Sequence, residues 1–417
     1  MTVRVASWAF LGMFCALAAR GAQAADAPGG TTSPADSLPV ATDARLGGDD
    51  AQTRFVMDFS QKIEVRAFTL ADPYRVVVDI PQVVFHLPPK TGEGGRGLIK
   101  AFRFGLVMQG GSRLVFDLAK PAKIEKAFVV DQTDTAPARL VLDLVSTDRE
   151  TFLRRTVADN RNARADLPRT EAPAAKAKDG DPRPLVMLDP GHGGIDTGTK
   201  GPNGEEEKDI VLNFAQRLRD RLDKSGKFRV LLTRSDDTFV ALGDRVRIAR
   251  DAGATLFVSI HADSLPHGEG DAQGASIYTL SDTATDSEAA RLAEKENRAD
   301  VIAGVDLKSE PDDVAGILID LAERETRSFS TQFAHKLAGE MKTVTRMHKK
   351  PLKSAGFRVL RAPDVPSVLV ELGYVSNRQD LQSLLSDSWR DRTANTIAQA
   401  IENFLSEQVA GAHTGAN

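Results

Sequence analysis

Cysteine is all but missing from this 417-residue chain, whose single example is Cys15. It falls in an N-terminal apolar stretch and lacks the small residues that a lipoprotein signal places just before its cysteine. Disulfide bracing is thereby excluded: the fold rests on core burial, and an oxidising compartment is tolerated. Charge is nearly balanced, with a formal net of −4, so nothing draws nucleic acid or an anionic membrane to the chain from a distance. No nucleic-acid partner is expected. A membrane-spanning run is lacking too, since the apolar stretch at residues 6–19 is too short for an ordinary transmembrane helix. With Arg4 before it and Ala22-Gln23-Ala24 after it, the stretch reads as a secretory signal, residues 1–24, removed after Ala24. An uncleaved anchor is the blander reading, kept open by the irregular Arg20. The expectation is an exported, periplasmic protein with no stable membrane insertion once the signal is cut.

What remains is too long for one ordinary core, and two folded domains are expected. Residues 25–50, rich in Ala, Gly, Asp, Ser and Thr without periodicity, read as a flexible leader. Over residues 51–147 a pattern recurs: RFVMDF at 54, RVVVDI at 75, RLVFDL at 113 and RLVLDL at 139. Each alternates with period two, so the second, fourth and sixth positions form an apolar face. The arginine and aspartate share the other, where exposed cross-strand ion pairs would contribute about 0–1 kcal/mol each. With further strands near 62–70, 99–107 and 122–130, the pattern predicts a small antiparallel β-sandwich. It has no clustered His, Cys or paired acids, which suits a targeting module or a structural cap. Residues 148–183, dominated by Ala, Pro and charge, read as a linker. About 30 disordered residues would span on the order of 30 Å, enough for an anchored sandwich to let the domain that follows sweep its surroundings.

From residue 184 to 406 the pattern changes to strands at 185–189, 228–233, 255–260, 274–280 and 366–371, interleaved with helices at 208–224, 243–251, 328–345 and 388–405. Residues 407–417 read as a disordered tail. The predicted fold class is an α/β catalytic domain with a mostly parallel sheet covered by helices, preceded by the small all-β sandwich. In such sheets the site lies outside the carboxyl ends of the strands. Three residues fall there: His192 in VMLDPGHGG, His261 in SIHAD and Glu371 in PSVLVELGYVSN, joined by Glu207 at the head of the EKDIVLN helix. Neutral imidazole and carboxylate are zinc ligands, and three of them leave a fourth position open for water. Zinc lowers the pKa of that water from about 16 to about 7, and Glu371 is a candidate to take its proton. Each residue alone has an ordinary explanation, a solvated loop histidine or a paired strand-end acid; their joint placement does not.

These four motifs resemble, in order, the signatures of zinc-dependent N-acetylmuramoyl-L-alanine amidases of the cell-separation type, and the likeness spans residues 184–406. It implies Zn2+ as cofactor, His192, Glu207 and His261 as ligands, Glu371 as catalytic acid/base, and peptidoglycan as substrate, cut between the lactyl group of N-acetylmuramic acid and L-alanine. Within the run Glu205-Glu206-Glu207, only Glu207 directly precedes Lys208-Asp209. The DPYRVVVDIP phrase and the repeated strands resemble the AMIN domain, which implies peptidoglycan targeting; no wall-contacting or substrate-binding residue can be named. Other classes stay open: another exported zinc amide hydrolase, such as a peptidase or sugar deacetylase, or a non-catalytic wall-binding regulator.

Residues 281–328 are an insert that a bare amidase would not need. They read as two amphipathic helices, with Pro311 opening the second and Val314, Ile317, Leu318 and Leu321 on its apolar face. On the first, Leu292, Glu296, Ala299 and Ala303 share a stripe, where Glu296 is either a solvated rim residue or something more. The resemblance implies the second: a regulatory helix that plugs the zinc cleft, with Glu296 (or Glu294) in the open zinc position, displaced by a protein activator. Arg234 and Arg245 could pair with a substrate carboxylate or serve as structural salt bridges, the favoured reading. His86, His335, His348 and His413 lie outside the motifs, and His267 sits in a polar glycine-rich loop where exposure is the simpler reading.

Overall fold

Period-two alternation becomes two facing sheets in the computed structural model, which describes residues 38–71, 73–108, 110–156, 181–264, 273–304 and 317–414. The signal segment with Cys15, the loop bearing His267, and Pro311 and Val314 of the insert lie outside the described residues. The first part comprises β1 (Val40–Gly48), β2 (Gln52–Phe59), β3 (Arg66–Leu70), β4 (Arg75–Pro81), β5 (Val84–Phe85), β6 (Ile99–Met108), β7 (Gly111–Leu118), β8 (Ala122–Val130) and β9 (Ala138–Ser146). One sheet runs β5-β1-β2-β9-β8 and the other β3-β4-β7-β6; all pairings are antiparallel except β1 with β5. The alternate residues of the four repeats, Phe55 to Phe59, Val76 to Ile80, Leu114 to Leu118 and Leu140 to Leu144, fill the single core between the sheets. Their arginines and aspartates sit opposite one another in register and pair: Arg75 with Asp117 at 2.7 Å, Arg113 with Asp79 at 2.5 Å, Arg54 with Asp143 at 2.6 Å and Arg139 with Asp58 at 3.5 Å.

Two expected boundaries shift. The leader does not reach residue 50, because β1 pairs with β2 over most of its length and buries Ala41. Small residues hide this strand from a periodicity reading, since backbone hydrogen bonds rather than large side chains fix it. Nor does the linker begin at 148. Residues 149–156 form a helix, α1, that sets Phe152 into the sandwich core, edge-on to Tyr74 with ring centroids 5.1 Å apart.

The second part contains β10 (Leu185–Pro190), α2 (Glu207–Ser225), β11 (Arg229–Leu232), α3 (Leu242–Asp251), β12 (Leu256–His261), β13 (Ala275–Leu280), α4 (Ser287–Glu296), α5 (Ala299–Ile302), α6 (Ile317–Met341), β14 (Met347–Ala355), β15 (Ser367–Glu371), α7 (Arg378–Leu385) and α8 (Asp387–Thr414). The sheet order is β11-β10-β12-β15-β13-β14, parallel except where β13 meets β15. Apolar strand residues of alternate parity face two layers: α2, α6 and α8 on one side, α3, α4 and α5 on the other. β14, MHKKPLKSA, escapes a propensity reading because it is an edge strand, where lysines and proline blunt further pairing. The helix expected at 328–345 and the second insert helix are one continuous helix, α6, and α8 continues to Thr414, past the expected start of a disordered tail at 407. α6 starts before the expected 328 but stops at Met341, short of the expected 345.

The sandwich is not free to sweep. Leu70, Val77 and Val115 from β3, β4 and β7 belong to the same buried cluster as Leu292, Ala293, Ala299 and Ala303 of the insert. Ile195 N, in the loop after β10, donates to Leu106 O of β6 at 3.3 Å. Because Phe152 is 1 % exposed, we predict that Phe152→Ala costs the sandwich about 3–5 kcal/mol, measured by urea unfolding. A loss under about 0.5 kcal/mol would place the residue in a linker after all.

Candidate metal centre

β10 runs into Asp189-Pro190 and then the turn Gly191 to Gly194, which turns His192 inward with φ of 60°. That conformation is uncommon for a non-glycine residue and needs outside support. Two buried arginines supply it. Arg245 donates to Asp189 Oδ1 (2.7 Å), Pro190 O (2.7 Å) and His192 O (2.6 Å), and Arg234 donates to Pro190 O (3.0 Å), Gly191 O (2.8 Å) and Lys208 O (2.8 Å). Both therefore brace the loop, and neither faces outward to a substrate. Burial lowers the Arg234 pKa to about 10, with Arg245 adding to the effect, so the side chain stays charged at neutral pH. Gly191 is required by close approach: a Cβ there would enter the ring of His261.

β12 ends on His261 and its parallel neighbour β15 ends on Glu371, directly opposite in register. Glu207 opens α2, where a carboxylate is favoured by the helix dipole; Thr199 N and Ala262 N each donate to it at 2.9 Å. Its neighbours face elsewhere: Glu205 is held by Asn203, and Glu206 lies 3.2 Å from Lys200. His192 Nε2 and His261 Nδ1 approach Glu207 Oε1 to 3.1 and 3.4 Å, and the three ligand atoms lie within 4.8 Å of one another. All are buried, and neither imidazole nitrogen makes a hydrogen bond. Two unpartnered imidazole nitrogens and a carboxylate oxygen gathered this closely fit a divalent cation. Asp196 Oδ2, 2.9 Å from His192 Nδ1, orients the ring, as carboxylates behind metal-binding histidines do.

The insert completes the cluster. Asp286 caps α4 by accepting from Ala289 N at 2.9 Å, and Leu292, Glu296, Ala299 and Ala303 are all buried, although the helix breaks after Glu296. Glu296 Oε2 lies 3.2 Å from His261 Nδ1 and 3.6 Å from His192 Nε2, while Oε1 is unpartnered. Glu294 turns outward to Arg298. Lys295, missed from the sequence, pairs with Asp263 and donates to Thr199 Oγ1 at 2.7 Å. Asp263, Asp196 and Asp189 were legible only as members of longer motifs; nothing in their spacing set them apart. Among the other histidines, His86 and His335 are exposed, and His348 hydrogen-bonds with Lys350.

Charge follows geometry. Burial alone would lower the His192 pKa, but Glu207, Asp196 and Glu296 hold it well above its usual value. Burial would raise that of Glu207, yet the two histidines and Lys295 keep it well below. For Glu371, burial and the nearby Glu207 and Glu296 all push the carboxyl well above its ordinary range. Asp263 N donates to Oε2 at 3.0 Å, and Oε1 has no partner.

Imidazoles and carboxyls gathered where parallel strands end are the equipment with which an α/β hydrolase could hold a metal ion. Comparison narrows the class. The profile of the N-acetylmuramoyl-L-alanine amidases matches residues 186–403, and that of the AMIN domain matches 43–144. N-acetylmuramoyl-L-alanine amidase AmiC of Escherichia coli O6:H1 is 33 % identical over 383 residues, 89 % of this chain and 91 % of that protein. AmiC of Neisseria meningitidis serogroup B is 32 % identical over 384 residues, 89 % and 91 % of the two chains. AmiA of Escherichia coli K12 is 40 % identical over 231 residues, 55 % of this chain and 79 % of its own. The chain belongs to the N-acetylmuramoyl-L-alanine amidases and carries an AMIN domain ahead of the catalytic one. It is a peptidoglycan hydrolase of cell separation, opening the amide between the muramoyl lactyl group and L-alanine.

Burial would raise the Asp189 pKa, but Arg245, Thr233 and Ser259 bring it below the usual carboxylate value. Its stabilisation is therefore present above the unfolded pKa of about 4 and is lost as pH falls through the lower folded one. We predict that Asp189→Asn destabilises the fold by about 3–5 kcal/mol at pH 7. The gap to the native protein should narrow below about pH 4 in denaturant titrations run across pH.

Proposed function

We propose that His192, Glu207 and His261 hold zinc, that Glu371 is the catalytic acid/base, and that Glu296 holds the enzyme at rest. The observation that carries the reading is the pair of buried, unpartnered nitrogens, His192 Nε2 and His261 Nδ1, converging on Glu207 Oε1. Zinc bound there supplies Lewis acidity toward the scissile carbonyl and makes water acidic enough to attack at neutral pH. The chain's own groups do the rest. Asp196 fixes the His192 ring, and the backbone N–H groups of Thr199 and Ala262 hold Glu207 in place. Glu371 Oε1, free of other partners, accepts the proton of the attacking water and returns it to the L-alanine nitrogen as the C–N bond breaks.

Glu296 caps the metal centre from the insert. Its carboxylate faces both histidines, and Lys295 beside it ties α4 to Asp263 and Thr199. A structural zinc site differs from a catalytic one in its fourth position, and a carboxylate lodged there excludes water and substrate together. Release needs a partner that binds the displaced helix better than the docked one; a protein activator fits that requirement. Export to the periplasm through residues 1–24, and wall targeting by the AMIN domain, complete the reading.

Purified peptidoglycan treated with the zinc-loaded protein should release stem peptides that begin with L-alanine, detected by mass spectrometry. Acetate or peptides cut within the stem would point to a different amide. His192→Ala should abolish stoichiometric zinc in metal analysis. Glu371→Gln should keep the metal yet lose roughly 10²–10⁴-fold in rate. Glu296→Ala should raise basal hydrolysis; an unchanged rate with zinc bound removes the blocking role.

A further inference from the structure

The Arg/Asp repeat is present on both sheets of the sandwich, but its two copies have different surroundings. On β2 and β9 the arginines face solvent, with side chains of Arg54 and Arg139 57 % and 41 % exposed. On β4 and β7 the equivalents, Arg75 and Arg113, are only 11 % and 10 % exposed. What covers Arg113 is the stretch at the end of α5, within the regulatory insert. Arg113 Nη1 donates to Ala303 O at 3.1 Å and Gly304 O at 3.3 Å, while Arg103 Nε on β6 donates to Ile302 O at 2.7 Å. Carbonyls at a helix end have no partner within the helix, and cationic side chains suit that end. The arginines are themselves held by carboxylates, Arg113 by Asp79 and Arg103 by Asp117 at 2.7 Å. They present their remaining N–H groups in fixed directions.

Packing agrees with the hydrogen bonds. Gly304, with φ of 70°, lies so close to the sheet that a Cβ would come within 2.9 Å of Val77 and 3.2 Å of Val115. Those two valines point away from the sandwich core and into the cluster shared with Leu292, Ala299 and Ala303. On the opposite side, Asp300 accepts from Leu242 N at 2.8 Å. The segment 299–304 is thus held between the sandwich and the catalytic domain, three residues beyond Glu296. Withdrawing Glu296 while α5 stays in place would stretch that short connection; moving α5 would break three arginine hydrogen bonds and bare two valines. A hydrogen bond from a charged donor typically contributes more than a neutral one, so the contact is not incidental to the position of α4.

We propose that the AMIN sandwich is the clamp of the regulatory insert: the face formed by Val77, Arg103, Arg113 and Val115 grips residues 299–304 and thereby keeps Glu296 in the metal centre. The domain that addresses the enzyme to the wall also sets its resting activity, and its occupant on this face is a segment of its own chain. This rests on the reading that Glu296 blocks the site, and the two are separable. In the full-length protein, Arg103→Gln combined with Arg113→Gln is compared with Gly304→Val, which alters the insert and leaves the sandwich untouched. Arg54→Gln, the same kind of pair on the open sheet, is the control. Amide hydrogen exchange of residues 287–304, followed by mass spectrometry on metal-free protein, should accelerate at least tenfold in the first two and not in the control. Basal peptidoglycan hydrolysis by the zinc-loaded variants should rise toward the Glu296→Ala level and gain nothing more when combined with it. Unchanged exchange in Gly304→Val, or in the arginine variant with its sandwich still folded by thermal melting, overturns the clamp even if Glu296→Ala is activated. Faster exchange with no gain in hydrolysis, in a protein where Glu296→Ala is also silent, upholds the clamp and removes the block.

Discussion

Taking Glu207 and Glu371 out of water at the ends of neighbouring elements is the constraint from which the rest of the site follows. A buried carboxylate is costly unless it is paired or hydrogen-bonded, and both are fully buried. Glu207 is held by two backbone N–H groups and faced by two imidazoles. Glu371 has one backbone N–H, and burial with the nearby Glu207 and Glu296 outweighs Lys295 and His192, which makes it the more basic of the two. The same low-polarity surroundings thus separate two glutamates into a ligand-like anion and a more basic carboxyl suited to exchanging a proton, the division of labour that hydrolytic sites exploit.

That arrangement depends on a loop that would not hold its shape alone. The left-handed backbone at His192 is pinned by arginines whose donors go almost wholly to main-chain carbonyls. Arg245 is anchored on Asp189, which Thr233 and Ser259 also satisfy, at 2.6 and 2.7 Å. Every polar group in this second layer has a partner, which lets the first layer leave two imidazole nitrogens open. A half-satisfied network would be more costly than an apolar one.

The same device, an arginine fixed by a carboxylate and turned on a carbonyl, recurs at the domain junction. There Arg103 and Arg113 meet the end of α5, so one chemistry orders the catalytic loop and joins the sandwich to the insert. A domain tethered only by a linker would make no lasting contact with the insert; the sandwich packs against it directly.

Strand-end histidines and a helix-opening glutamate are local features, and so the motifs alone mark the site. The alternation in the four repeats likewise determines both the sandwich core and the pairing of each arginine with an aspartate across the strands. These depend on period and on nearest neighbours, which a linear sequence carries. It carries less where backbone or edge effects dominate: β1 is built on small residues, β14 on lysines, and α1 is marked by one phenylalanine. What tertiary structure alone decided is which carbonyls Arg234 and Arg245 turn inward to brace, and that one Arg/Asp face of the sandwich is covered while its twin is open. Those outcomes depend on contacts between residues far apart in the chain, such as Arg113 with Gly304, 191 positions away, and no local pattern encodes which distant surface will be its neighbour.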